Sequence, residues 1–324
     1  MSFAIRIHQT GGPEVMRWEE VAVGDPGPGQ ARVRHEAVGL NYVDTYHRSG
    51  LYPLPLPSGL GSEGAGVVEA VGAGVSEIQP GDRVAYAGGA VGAYSQVRCL
   101  PADRLLKLPA GIDFRTGAAM MLQGLTSAYL LRRTYRVQPG DTVLIHAAAG
   151  GVGLIACQWA KALGATVIGT VSNEAKAELA TQHGCDHIIF YTREDVAKRV
   201  RELTAGAGVA VVYDGVGKDT FAGSLDSLRV LGMMVSFGNA SGPVAAFDPL
   251  VLSQKGSLFF TRPTLGHYTA KRDDLVTLGT ELFAIVTSGK VRIGVNQSYA
   301  LADAASAHRD LEARKTTGST ILLP

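Results

Sequence analysis

The stretch Thr142–Asn173, TVLIHAAAGGVGLIACQWAKALGATVIGTVSN, decides the fold. Its first five residues, TVLIH, have the apolar character of a buried parallel strand. The apolar residues beyond the turn repeat with the spacing of one helix face: Val152, Ile155, Ala156, Trp159, Ala160 and Leu163. Gly164 stands where a helix commonly ends in a left-handed residue, and Ala165–Thr170 has the pattern of a second buried strand. We therefore predict one βαβ unit.

The turn between strand and helix, AAAGGVG at residues 147–153, carries few side chains. Its backbone N–H groups can therefore approach a pyrophosphate at the positive end of the helix. The predicted strand before it and the helix and strand after it are the context that a dinucleotide-binding motif requires. A tight structural turn is the alternative. The pattern favours dinucleotide binding at Gly150, Gly151, Val152 and Gly153.

The composition is typical of a compact α/β enzyme with two domains: of 324 residues, 46% are hydrophobic and 18% charged, and 41 are glycine. The formal net charge is +1 and no basic block occurs, which argues against nucleic acid or an anionic membrane as the main partner. The N-terminal residues lack the features of a signal peptide, and no run approaches the roughly 20 apolar residues of a membrane span. We expect a cytoplasmic protein. The three cysteines form neither a CxxC motif nor a disulfide framework.

The first third of the chain predicts an irregular β-barrel-like domain, because short strands follow one another between Gly and Pro residues. The predicted strands are Ala4–His8, Arg17–Val21, Ala31–Gly39, Gly64–Val71, Asp82–Ala87 and Tyr94–Cys99. Three prolines at alternate positions in residues 50–57 exclude helix and central strand, so this segment is predicted as a stiff extended loop.

From Asp113 onward the pattern becomes helical and then alternates. Asp113 is a suitable N-cap for a helix to Leu122, and Thr126 is predicted to begin another. Strands follow the central unit at His187–Tyr191, Val209–Asp214, Gly232–Phe237 and Ser257–Thr261. A helix precedes each of the first three of these strands, at Glu174–His183, Arg193–Ala205 and Asp219–Arg229. This alternation predicts a doubly wound parallel sheet with helices on both faces.

The C-terminal part is predicted to rejoin the first domain, because strands occur at both ends of the chain. Its elements are a helix at Asp273–Ser288, a strand at Gln297–Ala300, a helix at Leu301–Glu312 and a strand at Thr320–Leu323. We therefore predict a β-rich domain of residues 1–123 and 265–324 and an inserted cofactor domain of residues 124–264, with the cleft between them as the binding site.

Several motifs, in this order, carry a family resemblance: NYVDTY at 41–46, GSEGAG at 61–66, MLQGLT at 121–126, HAAAGGVG at 146–153, VSFGN at 235–239 and TRP at 261–263. The sequence resembles the zinc-independent quinone oxidoreductases of the medium-chain dehydrogenase/reductase superfamily, the zeta-crystallin-like group, and in particular its bacterial NADPH:quinone reductases. The resemblance implies a GroES-like catalytic domain, a Rossmann domain and a homodimer. Its pairing edge is expected near Ser257–Thr261.

No zinc site is expected. Zinc-dependent relatives supply ligands from a cysteine near position 41 and from a Gly-His-Glu triplet, where this chain has Asn41 and Gly61-Ser62-Glu63. His183 and His187 are four residues apart, but Gly184 interrupts the helix between them. Without a Lewis acid, alcohol oxidation loses its main catalytic device, whereas reduction of an electron-poor acceptor remains feasible.

The nicotinamide cofactor is predicted to be NADPH. An NAD site usually has a carboxylate at the end of the second strand, where this chain has Thr170-Val171-Ser172-Asn173. Lys176 lies where the family contacts the 2′-phosphate, and Ser172 can donate a hydrogen bond to that phosphate. Glu174 argues against NADPH, because its carboxylate would repel the phosphate. The resemblance assigns further cofactor contacts to Asn41, Gln123, Thr126, Tyr191, Gly238, Asn239, Thr261, Arg262 and Arg314.

The resemblance places Asn41, Asp44, Tyr46 and Tyr52 at the substrate, where they would orient a quinone for hydride transfer from NADPH. Asp44 could equally be a purely structural acceptor. Two alternative functions remain open. One is an NADPH-dependent reductase of enones and other activated alkenes, which suit the same donor. The other is a structural or RNA-binding crystallin-like protein, against which the near-neutral charge argues.

Overall fold

The computed structural model describes residues 2–324, which form two compact units. The first unit is the chain up to Leu125 together with Tyr268–Thr287 and Ile293–Pro324, and the second is Thr126–His267 with Ser288–Arg292. Sequence analysis places the corresponding boundaries at 123/124 and 264/265. Within residues 2–324, the structure has no helix whose length and hydropathy would let it cross a membrane.

The N-terminal part contains eight strands and two helices. The strands are β1 (Ser2–Ile7), β2 (Arg17–Val21), β3 (Gln30–Leu40), β4 (Ser58–Gly59), β5 (Glu63–Val71), β6 (Arg83–Ala87), β7 (Val97–Pro101) and β8 (Leu106–Lys107). The helices are α1 (Tyr42–Ser49) and α2 (Phe114–Tyr129), and a π-helical turn, Leu130–Thr134, continues α2. Residues 50–57 form no regular element, as the alternate prolines predict.

The central part alternates strands and helices. Its strands are β9 (Thr142–Ile145), β10 (Thr166–Val171), β11 (His187–Phe190), β12 (Val209–Asp214), β13 (Leu228–Ser236) and β14 (Phe259–Thr261). Its helices are α3 (Gly151–Ala162), α4 (Glu174–Gln182), α5 (Val196–Leu203), α6 (Phe221–Ser227), α7 (Leu250–Gln254) and α8 (Leu265–Tyr268). The C-terminal part adds α9 (Arg272–Thr287), β15 (Val295–Ala300), α10 (Ala304–Glu312) and β16 (Ser319–Leu323).

The first unit is built on a seven-stranded sheet, β15-β16-β3-β5-β6-β8, with β7 also paired to β3. A three-stranded antiparallel sheet, β2-β1-β4, accompanies it. C-terminal strand β16 pairs antiparallel with β3, so that Thr320 lies opposite Leu40. Leu301, Ala304 and Leu322 belong to the same buried core as Val33 of β3. C-terminal strand β16 therefore lies in the same sheet as N-terminal strand β3 and shares its core.

The second unit contains a six-stranded sheet in the order β11-β10-β9-β12-β13-β14, and all neighbouring strands in it are parallel. Counting from β9, this is the 3-2-1-4-5-6 order of the dinucleotide-binding α/β fold, whose strand order reverses between β9 and β12. Its core contains buried Leu144, Ile168, Ile189 and Val212. The α/β class, with a β-rich part and a Rossmann-type parallel sheet, is confirmed.

One local prediction was wrong, and one helix of the first unit was not predicted. The sequence predicts two helices separated near Gly124, but α2 continues through this residue. A Cβ at Gly124 would lie 2.5 Å from the Leu282 side chain. The glycine thus permits close packing instead of ending the helix. Helix α1 was not predicted. Eight residues are too few to form a stable helix alone, and α1 depends on a cap at Asn41 and on left-handed Gly50, with φ of 86°, at its end.

Candidate active site and cofactor site

The glycine turn of the second unit lies between β9 and α3, beside the point where the strand order reverses. Gly150 is the N-cap of α3, and its N–H donates to the carbonyl of Ala147, which itself adopts a positive φ of 52°. A Cβ at Gly153 would lie 2.3 Å from the Ala147 oxygen, so no larger residue fits. A Cβ at Gly150 would meet only that oxygen, at 3.1 Å, within 4 Å. The open approach over Gly150 fits a dinucleotide phosphate.

A buried polar network holds the strand ends beneath this turn. His146 Nδ1 lies 3.1 Å from Thr170 Oγ1, and its Nε2 lies 3.0 Å from Ser224 Oγ. Ser224 donates to Asp214, which also accepts from the backbone N–H groups of Val216 and Gly217. Burial lowers the pKa of His146. The network joins the carboxyl ends of β9, β10 and β12, and sequence analysis did not identify it as part of the site.

The residues predicted to bind a 2′-phosphate lie at the end of β10 and the start of α4. Ser172 and Lys176 are half-buried there, and Asn173 caps α4 by accepting from the Lys176 N–H at 3.0 Å. Glu174, the residue that disagrees with NADPH, instead pairs with Arg193 at 2.7 Å. Both partners are largely exposed, so this ion pair contributes little stability.

The other predicted cofactor residues of the second unit follow strand ends at the same edge of the sheet. Tyr191 follows β11 and is 39% exposed. Gly238 follows β13, and a Cβ there would lie 2.3 Å from the Gly215 oxygen. Asn239 follows Gly238, Thr261 ends β14 and exposed Arg262 follows it. Because the carboxyl ends of parallel strands share one edge, the fold brings these residues to the side of the glycine turn. Thr126 is buried on α2.

In the first unit, Asn41 belongs to a chain of buried side chains. Asn41 Nδ2 donates to Glu63 Oε1 at 2.5 Å, and Gln123 Nε2 donates to Asn41 Oδ1 at 3.1 Å. Ser319 Oγ donates to Gln123 Oε1 at 2.6 Å, and the Leu122 N–H donates to Glu63 Oε2 at 2.6 Å. Burial raises the pKa of Glu63 to about 8. The predicted residues Asn41 and Gln123 are thus in direct contact.

Asp44 is completely buried and accepts three hydrogen bonds. The donors are the backbone N–H of Asn41 at 2.9 Å, Ser62 Oγ at 3.0 Å and Tyr94 Oη at 2.9 Å. Burial raises the pKa of Asp44 to about 6, although the three hydrogen bonds act in the opposite direction. This geometry favours a structural role for Asp44, because its oxygens bind the first turn of α1 and two hydroxyls.

Hydrogen bonds connect Asp44 through Tyr94 to side chains of α10. Tyr94 Oη lies 3.1 Å from His308 Nε2, and Arg48 Nη1 lies 3.0 Å from His308 Nδ1. Arg48 also forms a two-pronged ion pair with Glu312. Burial lowers the pKa of His308 to about 3, which keeps its ring neutral. Sequence analysis missed Tyr94 and His308, whose link to Asp44 depends on residues far apart in the chain.

Aromatic rings cluster on α1 and the loop after it. The ring centroids of Tyr46 and Tyr52 are 5.2 Å apart, and those of Tyr42 and Tyr46 are 5.7 Å apart. Tyr46 is buried, whereas Tyr42 and Tyr52 are half-buried. The predicted pair Tyr46 and Tyr52 is therefore adjacent, and Tyr42 is an additional member. Arg314 is exposed after α10, with a positive φ of 59°.

The positions that bind zinc in other dehydrogenases are occupied by hydrogen-bonded residues. Asn41 contacts Glu63 and Gln123, and Ser62 donates to Asp44. Across residues 2–324, no three or more His, Cys, Asp or Glu side chains are grouped so that they could hold a metal ion. Metal-free chemistry stays a prediction, which a chelator experiment addresses below.

We predict that Asp44→Ala destabilises the fold by about 3 kcal/mol at pH 4, because it leaves buried donors without an acceptor. The raised pKa means that the native state binds this proton more tightly than the unfolded state. Its stabilising effect is fully present below about pH 4 and is lost as the pH rises through about 6. The advantage of the wild type over Asp44→Ala should therefore shrink between pH 4 and pH 7.

Urea unfolding across this pH range measures the effect. Asp25→Ala is the control, because the Asp25 side chain is 95% exposed and its loss should change stability by less than about 0.5 kcal/mol. Equal stability of the wild type and Asp44→Ala at pH 4, or a stability difference that does not shrink towards pH 7, would contradict the prediction.

Both parts of the fold resemble known proteins. The family model for the alcohol dehydrogenase GroES-like domain matches residues 27–110, and that for zinc-binding dehydrogenase matches residues 151–274. A quinone oxidoreductase of Pseudomonas aeruginosa is 57% identical over the full length of both chains. A 2-haloacrylate reductase of a Burkholderia species is 48% identical, with 100% of this chain and 99% of that protein covered.

Similarity to a solved structure agrees with these matches. The crystal structure of Escherichia coli quinone oxidoreductase complexed with NADPH has a TM-score of 0.98 and 51% identity, and the match covers 99% of this chain and all of that one. Full-length identity above one half and a matching fold in both parts show that the chain is an oxidoreductase enzyme of the quinone oxidoreductase family, within the medium-chain dehydrogenase/reductase superfamily.

Proposed function

We propose that this enzyme catalyses hydride transfer from NADPH to quinones, without a metal ion. The full-length similarity to a quinone oxidoreductase solved with NADPH is the observation that carries this proposal. Residues 1–123 and 265–324 would form the catalytic domain and residues 124–264 the cofactor domain. A cytoplasmic location is part of the proposal, and cell fractionation tests it.

The second unit supplies most of the NADPH contacts in this proposal. Gly150, Gly151, Val152 and Gly153 would receive the pyrophosphate, since the turn is open on the side where a Gly150 side chain would project. Ser172 and Lys176 would bind the 2′-phosphate, and Tyr191 would lie at the adenosine end. The remaining contacts are assigned to Asn41, Gln123, Thr126, Gly238, Asn239, Thr261, Arg262 and Arg314.

Bound NADPH would supply the hydride from C4 of its nicotinamide ring. The task of the protein is then to orient the acceptor, which can contribute several kcal/mol to lowering a reaction barrier. Tyr46 and Tyr52 would form aromatic walls, and Asn41 would be a polar contact. Asp44 would act indirectly, because it holds the backbone N–H of Asn41 at 2.9 Å. The reduced quinone would take its proton from solvent or from a nearby hydroxyl.

A second candidate is reduction of activated alkenes such as enones. Its support is the 48% identity to the 2-haloacrylate reductase, whose name describes an alkene substrate. The same hydride donor suits any conjugated acceptor.

NADPH oxidation by one preparation against a quinone panel and an enone panel, including 2-haloacrylate, separates the two candidates. We expect higher kcat/KM with quinones and no change after treatment with a chelator. Faster oxidation with the alkenes would replace the first candidate with the second, and loss of activity with the chelator would overturn the metal-free proposal. An RNA titration at physiological salt addresses the RNA-binding alternative, for which tight, salt-sensitive binding would be expected.

For the cofactor preference, we predict that Lys176→Ala raises KM for NADPH about tenfold and leaves KM for NADH nearly unchanged. The reason is the loss of about 1.5 kcal/mol from one charge-assisted hydrogen bond to the phosphate. Lys198→Ala is a matched control, because Lys198 lies three residues after the N-cap of α5 just as Lys176 does in α4. Equal effects on both cofactors, or a wild-type preference for NADH, would remove the assigned role of Lys176.

We also propose that the enzyme is a homodimer paired through the edge of the six-stranded sheet. Strand β14 is its outermost strand. Val230 and Leu231 of β13 are 70% and 61% exposed, and Phe259 of β14 is 56% exposed. Large apolar side chains at an exposed sheet edge favour burial against a second chain.

Val230→Asp is therefore expected to convert the dimer into a monomer, because it places a charge in the apolar contact. Sedimentation velocity over a concentration series measures the change. Val276→Asp, at an exposed valine on α9, should leave the dimer intact. A monomeric wild type would refute the dimer itself.

A further inference from the structure

Four buried side chains form a continuous series of hydrogen bonds, the hydrogen-bond chain: Ser319 of β16, Gln123 of α2, Asn41 at the cap of α1 and Glu63 of β5. All four residues are at most 7% exposed. The Glu63 carboxyl is tightly enclosed, since a Cβ at Gly39 would lie 2.1 Å from its Oε1 and 2.4 Å from the Ala118 oxygen. Close packing on every side means that these polar groups must satisfy one another.

The donor-to-acceptor direction of the hydrogen-bond chain is set at its Glu63 end. An ionised carboxylate can only accept hydrogen bonds, so Asn41 must turn its NH₂ group towards Glu63. The Asn41 oxygen then faces Gln123, which must present its own NH₂ group, and the Gln123 oxygen accepts from Ser319. One charge therefore fixes the orientation of two amides and a hydroxyl.

A proton on Glu63 allows the opposite direction. A protonated carboxyl would donate to the Asn41 oxygen while its other oxygen still accepts from the Leu122 N–H. Asn41 would then donate to Gln123, and Gln123 to Ser319, whose hydroxyl can accept. The 2.5 Å separation at Glu63 also suits an O–H···O hydrogen bond. Each of the three side-chain contacts in this series keeps one donor and one acceptor in both directions, whereas the reversal removes the cap that the Asn41 side chain provides for the Asp44 N–H.

The surroundings favour proton uptake near neutral pH. The Glu63 oxygens accept from two uncharged donors, the Asn41 amide and the Leu122 N–H. Asp44 on α1 adds negative charge that raises the pKa of Glu63, and the hydroxyls of Tyr86 on β6 and of Tyr94 are the other titratable groups coupled to it. Burial is the largest cause, and it raises this pKa to about 8. The proton comes from solvent, and no electron is transferred.

We propose that Glu63 is a positioning residue that sets which polar atom of Asn41 faces the quinone, and that proton binding by Glu63 reverses this orientation. The inference rests on the proposed contact between Asn41 and the substrate. Each orientation exposes a different remaining donor or acceptor of the amide, so the quinone carbonyl is bound differently in the two states.

Glu63→Gln is the decisive variant. Its side-chain oxygen can accept from Leu122 and its NH₂ group must face Asn41, which imitates the protonated state at every pH. In the wild type we expect kcat/KM for a benzoquinone to change about tenfold between pH 6 and pH 9.5. Glu63→Gln should remain at the low-pH value of the wild type throughout. Glu69→Gln, at a more exposed acid on the same strand, should keep the wild-type profile.

A variant that keeps the wild-type inflection, or a wild-type profile without one, would overturn the inference while leaving quinone reduction established. Failure of the wild type to reduce any quinone would instead overturn the proposed function. Infrared difference spectra of the unliganded wild type and of Glu63→Gln between pH 6 and pH 9.5 provide a second measurement, in which the variant separates the Glu63 carboxyl from buried Asp44, whose pKa is about 6. Loss, with rising pH, of a protonated-carboxyl band that Glu63→Gln lacks supports the reversal, and a wild-type spectrum without such a band refutes it.

Discussion

Antiparallel pairing between β3 and β16 is the constraint on which the candidate substrate site depends. It places Thr320 opposite Leu40, the last residue of β3. Asn41, the cap of α1, follows Leu40 directly, and Ser319 precedes Thr320 and donates to Gln123. Because the pair joins the two ends of the chain, the site can form only after most of the protein has been made and folded. The entropy cost of such a long loop closure is offset by the core that β16 shares with β3.

Two buried carboxyl groups then determine how the polar side chains of this unit are arranged. Burying an acid is unfavourable unless donors surround it. Asp44 is surrounded by one backbone N–H and two hydroxyls, and Glu63 by one backbone N–H and one amide. Since none of these donors carries a charge, burial outweighs hydrogen bonding and both pKa values rise. The acids therefore organise their neighbours through hydrogen-bond direction instead of through ion pairing.

In the second unit, close backbone contacts instead of buried acids organise the predicted cofactor site. Its cofactor edge depends on backbone that comes close to other backbone, as at Gly153 and Gly238, where a Cβ would lie 2.3 Å from a carbonyl oxygen. Such positions need only glycine and a parallel sheet of the right order, so the information is local. The side-chain network of His146, Thr170 and Asp214 is not local, because its residues lie at or next to the ends of three different strands.

The sequence by itself determined the elements that follow from periodicity and small residues: the βαβ unit, the alternation that builds the parallel sheet, and the strand at each end of the chain. Their signals lie within a few residues and need no knowledge of the rest of the molecule. It did not reveal helix α1 or the continuity of α2, because a short helix and a helical glycine are stabilised by tertiary packing. Only the tertiary structure decided that Glu63 contacts Asn41 and that Tyr94 links Asp44 to His308. These contacts join distant residues through burial and hydrogen bonding, and no local pattern encodes them.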